Sequence, residues 1–142
     1  MTPAEELTER VLPKLKEFAT TLSDELSGVS ARAYTVETSE KAAWRRFELF
    51  VDCSLPERPR EEPDNVALEI TLDLRFDPPR FHSADVCWGH PSGQIVAELP
   101  VQGLPYSADS LTSVDAGLPR LFEALRSAVL MGHPTQPNLF PY

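Results

Sequence analysis

Between Val66 and Asp77 apolar and polar residues alternate strictly. Val66, Leu68, Ile70, Leu72, Leu74 and Phe76 face one way, and Ala67, Glu69, Thr71, Asp73, Arg75 and Asp77 the other. A period of two suits a β-strand with one side on a core and one in water. Asp77-Pro78-Pro79 ends the run, because proline cannot donate to a ladder. Trp44 to Leu55 alternates in the same way. Phe47, Leu49, Val51, Cys53 and Leu55 share the apolar side, and Arg46, Glu48, Phe50, Asp52 and Ser54 the other. Shorter strands are predicted over Ala31–Val36, Phe81–Trp88 and Gln94–Leu99, with a turn at Gly89–Gly93. Short links between successive strands predict an antiparallel meander.

The period changes at the two ends of the chain. Leu7, Val11, Leu15, Phe18, Leu22 and Leu26 recur every three or four residues, one stripe on a helix. Thr2 with Glu5 forms a capping box and Pro3 suits the first turn; Gly28 marks the stop. Pro13, inside the stripe, is expected to kink or divide the helix. A second helix is predicted from about Asp115, as its cap, to Met131, with Leu118, Leu121, Phe122, Leu125 and Val129 on its apolar side. Pro100–Ala116 and the charged, proline-rich Pro56–Asp64 read as loops.

These elements give an α+β fold: an N-terminal helix, an antiparallel sheet of about five strands and a C-terminal helix, both helices on one sheet face. Residues 1–132 form a single domain and 133–142 an extended tail, whose Leu139, Phe140 and Tyr142 can dock on the domain or on a partner. By parity the open face carries Arg46, Glu48, Phe50, Asp52, Glu69, Thr71, Asp73, Asp85 and Glu98, most of them acids expected to point into water.

Charge sharpens this picture. The 142 residues carry a net charge of −9 and are 42% hydrophobic, enough for a real core. Residues 1–60 hold 11 acids against 9 bases, net −2, and residues 61–142 hold 11 against 4, net −7. Such a surface repels nucleic acid and anionic lipid and attracts a basic protein. No apolar run approaches the roughly 20 residues of a membrane span. The polar, acidic start does not read as a signal peptide, so a cytoplasmic location with reduced thiols is expected.

Motifs for chemistry are sparse. There is no glycine-rich phosphate loop, no nucleophile elbow and no zincin helix. Cys87-Trp88-Gly89-His90 has the spacing of a thiolate–imidazole pair, yet a structural zinc needs four ligands, and strand parity separates Cys53 from Cys87. Neither metal nor other cofactor is expected. Crowded carboxylates on the open face can serve acid–base work or hold a cation, but both uses need a concave site, and an open sheet is expected to be flat or convex.

The order of elements, acidity and size resemble two groups of small bacterial proteins. One is the secretion-chaperone type, which implies a homodimer that binds an effector segment. The other is the immunity type, which blocks a toxin with an acidic face. The chaperone type places a helix inside the strand series; this chain has none between Ala31 and Leu99. The expectation is a non-enzymatic protein-binding module for a basic partner. Trp44, Glu48, Phe50, Asp52, Glu69, Asp73 and Asp85 form its contact surface. A small enzyme or metal protein using Cys87 and His90, and a structural subunit of a larger complex, are the alternatives.

Overall fold

A computed structural model describes residues 1–26, 28–37, 43–52, 65–88 and 94–131, apart from the side chain of Met131. Helix α1 (Pro3–Glu25) is followed by five strands, β1 (Ser30–Glu37), β2 (Trp44–Asp52), β3 (Asn65–Asp73), β4 (Arg80–Trp88) and β5 (Gln94–Glu98), and by helix α2 (Ala108–Met131). The strands lie in sequence order as one antiparallel sheet, so the α+β meander read from the pattern is present. Cys53, the Pro56–Asp64 loop, the Gly89–Gly93 turn with His90, and the tail from 133 lie outside the described residues.

The core follows from strand parity. Phe47 pairs with Ile70, Leu49 with Leu68 and Val51 with Val66, and all six side chains are fully buried. Ala84, Val86 and Trp88 extend this layer across β4. Leu7, Val11, Leu15 and Leu22 of α1 and Leu118, Leu121 and Leu125 of α2 join the same cluster. Both helices therefore cover one sheet face, α1 over β1 and β2 and α2 over β3, β4 and β5. Phe18 and Phe122 stack at 4.4 Å where the helices meet.

Several expectations need correction. The Thr2–Glu5 capping box forms, but Pro13 does not divide α1. It leaves one carbonyl without its helical donor, a loss the buried stripe on either side outweighs. Helix α2 begins at Ala108, so half of the expected Pro100–Ala116 loop is helix. Ser107 and Ser110 cap it reciprocally: each hydroxyl accepts the other's backbone N–H, at 2.8 and 3.1 Å. Asp115 is consequently not a cap. It sits inside α2 and pairs with Arg10 at 2.6 Å and Lys14 at 3.0 Å of α1. Strand β3 stops at Asp73 rather than Phe76, because the chain turns at Leu74 and Arg75. Phe76 is exposed and lies under the Arg80 guanidinium, 4.2 Å from its ring centre.

Candidate functional site: the open face of the sheet

On the face away from the helices, side chains line up in rows that run across the strands. The register places Tyr34 beside Glu48, Glu48 beside Glu69, Glu69 beside Asp85, and Asp85 beside Glu98. Neighbouring strands are about 4.8 Å apart, so four carboxylates form a row across β2 to β5. A second row holds Arg32, Phe50, Ala67, Cys87 and Ile95. A third holds Val36, Arg46, Thr71 and Ser83. The seven residues singled out from sequence all have the parity of this face. Glu48, Glu69 and Asp85 share the acidic row. Phe50 is in the apolar row, Trp44 and Asp73 pair at one end of β2–β3, and Asp52 lies at the other end.

The expectation that the acids point into water needs correction. Glu48 is 7% exposed, and Glu69 and Asp73 are each 9% exposed. Acids in the middle of a sheet are flanked by side chains on both sides, and here the flanks are Tyr34, Arg46 and Asp85. Of the acids on this face Glu98 and Asp52 are exposed and Asp85 is half-buried. The aromatic pair is also half-buried, each ring under an arginine: Arg46 lies 4.8 Å over Trp44, and Arg32 lies 5.7 Å over Phe50. Ile95 at 56% and Val96 at 38% are the exposed apolar residues beside the acidic row.

Burial sets the protonation of this face. It pushes Glu69 up to about 7; Arg46 opposes this, and the charge of Glu48 adds to it. Burial, then the charge of Glu98, raises Asp85. The Tyr34 hydroxyl donates to Glu48. Burial first, then that bond, pushes the phenol up to about 12. Asp73 goes the other way. Arg75 gives it two guanidinium N–H bonds, at 2.9 and 2.6 Å, and a backbone N–H at 3.0 Å. These hold Asp73 down at about 2, the guanidinium bonds contributing most.

The face is not flat, contrary to the sequence expectation. A cleft of about 450 Å³ opens at its Trp44 end, lined by Trp44, Arg46, Thr71, Asp73, Arg75 and His82. Its origin is a β-bulge. Thr71 pairs with Ser83 and Leu72 with Phe81, so His82 is an extra residue that bends β4 away from the regular ladder. Sequence parity cannot register such an insertion, so it gives no sign that His82 lines a cleft with Trp44 and Asp73.

One donor set was also not foreseen. Oxygen or sulfur atoms of Glu69, Asp85 and Cys87 lie within 4.8 Å of one another. The set fits a metal poorly. Burial first, then the nearby carboxylates, pushes the Cys87 thiol up to about 12, whereas metal binding needs the thiolate. The same burial disfavours Cys87 as a nucleophile. Among the described residues no helix is long and apolar enough to cross a membrane. No protein-family model, curated protein or solved structure matches this chain.

Proposed function

We propose that this protein is a non-enzymatic binding module that takes a basic protein partner on its open sheet face, in the manner of an immunity protein or a secretion chaperone, within the cytoplasm. The observation that supports this most is the row of four carboxyls, Glu48, Glu69, Asp85 and Glu98, that runs across β2 to β5. On the helix side Arg10 and Lys14 pair with Asp115, Arg126 pairs with Glu25, and Arg120 donates to the Glu98 carbonyl at 2.8 Å. The sheet side keeps a row of acids beside apolar Phe50, Ile95 and Val96. Asp85 and Glu98 steer a cationic surface, and the exposed apolar residues supply contact once it arrives.

The test uses the chain as bait in a lysate of its own cells. Three baits are compared: wild type, Asp85→Lys/Glu98→Lys on the sheet face, and Glu9→Lys/Glu123→Lys on the helix side. The reading expects one basic protein held by wild type and by the helix-side variant, and lost from the sheet-face variant and in high salt. An acidic captured protein, or equal capture by all three baits, contradicts it.

A further inference from the structure

We propose that the cleft at the Trp44 end of the sheet binds a small organic anion, a flat ring carrying a phosphate or carboxylate group. The cleft offers about 450 Å³, the size of a small-molecule site and too little for a folded partner. Its lining reverses the sign of the chain. The chain carries a net charge of −9, yet Arg46, Arg75 and the exposed His82 line the cleft against one acid among the described residues, Asp73. Arg80 stands opposite Asp73 in the β3–β4 register and adds a further positive charge beside it. Residues 61–142 hold 4 bases, and both Arg75 and Arg80 are at this end of the sheet.

Arg75 is held in place without being used up. It gives Asp73 its Nε–H at 2.9 Å, an Nη2–H at 2.6 Å and its backbone N–H at 3.0 Å. These bonds occupy one edge of the guanidinium. Its Nη1 bonds nothing among the described residues, and the side chain is 71% exposed. A planar guanidinium fixed by a carboxylate on one edge presents its other edge as a fork for an oxyanion. Asp73, held at about 2, stays ionised and keeps Arg75 in that orientation through the neutral range.

Arg46 plays a different part. Its Nε–H goes to the Thr71 hydroxyl at 3.3 Å, and its Nη1 lies 3.7 Å from Glu69 and 3.9 Å from Glu48. Its charge is thus answered from within the sheet. What it offers a ligand is a flat face, 4.8 Å over the half-buried Trp44 ring. A ring lying against these two groups gains dispersion and cation–π attraction. His82, the extra residue of the bulge, adds an imidazole that can hydrogen-bond the head group. Asp85, Glu98 and Ile95, which carry the basic-partner reading, do not line this cleft, so either site can stand without the other.

The probe is phenyl phosphate, with benzoate, inorganic phosphate and phenol as comparisons, titrated into the intact nitrogen-labelled chain and followed by NMR. Saturable shifts of the Trp44 indole N–H and of the Thr71, Arg75 and His82 amides are expected from phenyl phosphate or benzoate, the tighter of the two identifying the head group. Inorganic phosphate lacks the ring and phenol lacks the charge, so each should bind about tenfold more weakly or worse. Arg75→Gln should weaken the ringed anion about tenfold, and Arg75→Lys, which keeps the charge but not the fork, should recover part of that. Arg75→Gln also leaves Asp73 unpaired. Trp44→Leu keeps that pair intact, so it carries the test should the arginine variant not fold. Read at the His82 amide, it should weaken phenyl phosphate more than inorganic phosphate. Shifts that never saturate, or that spread away from the cleft, overturn the proposal. So does phenol or inorganic phosphate binding as tightly as phenyl phosphate, or equal binding by wild type and the folded variants.

Discussion

Glu48 and Glu69 face each other across the β2–β3 ladder, and both are buried. That makes the stability of the fold run against the usual acid dependence. The Glu69 carboxyl titrates near 7 when folded, above its ordinary 4.5. Between those values the folded chain holds a proton that the unfolded chain has lost. The stabilisation is complete below 4.5 and is lost as pH rises through 7, on the order of 1 kcal/mol per pH unit for this group. Urea melts across that window should show the decline in wild type and a flatter profile in Glu69→Gln. A wild-type profile that rises through the window contradicts it.

Asp73 and Arg75 give the opposite slope in a different range. The fork from Arg75 keeps Asp73 at about 2, below its ordinary 3.8. Its stabilisation is present above 3.8 and is lost as pH falls toward 2. Asp73→Asn should therefore lower the melting temperature at neutral pH and lose less than wild type on acidification. An identical acid slope in the two proteins argues against this pair.

Parity of β3 predicts an asymmetry between neighbouring positions. Leu72 is fully buried in the core, and Leu72→Asp places an unpaired carboxylate there, at a cost of about 3–5 kcal/mol. That is enough to unfold a marginal domain. Glu98→Gln, on the exposed end of the acidic row, should melt within a degree or two of wild type by circular dichroism. Thr71 is no neutral control, although it lies on the same face as Glu98. It is 2% exposed and receives Arg46, so Thr71→Asp should also destabilise.

The helices are clamped by Asp115 between Arg10 and Lys14. Burial raises the Asp115 carboxyl, but the bonds from Arg10 and Lys14 outweigh it and hold the group below its ordinary value. Both bases are half exposed, so water screens the pair. Asp115→Asn should lower the melting temperature by no more than a few degrees, and the difference should shrink in high salt. A loss unchanged by salt would point to packing instead.

The sheet was legible because Val66–Asp73 and Trp44–Asp52 keep strict parity, and a one-residue slip would expose the whole apolar set. The α2 start was not. Leu111 and Val114 continue the Leu118–Leu121–Leu125 stripe upstream, but the Ser, Asp and Thr residues around them read as a loop, and Ser107 caps through a serine pair. The site was legible as a face and not as an environment. Parity put Glu48, Glu69 and Asp73 on the open side, yet their burial depends on cross-strand neighbours fixed only by register. The cleft depends on the extra residue His82, which no alternation reveals.

The most direct test of the acidic-face account is the association rate of the captured partner, measured for wild type, Asp85→Lys/Glu98→Lys and Glu9→Lys/Glu123→Lys at low and high salt. All three proteins should be folded, because the four altered side chains lie outside the core. The account predicts that the sheet-face variant associates at least tenfold more slowly at low salt and that the gap closes as salt rises, while the helix-side variant, with the same net charge, stays close to wild type. Equal slowing in both variants would mean that net charge alone steers the encounter. Unchanged rates in the sheet-face variant would mean that the partner does not dock on this face.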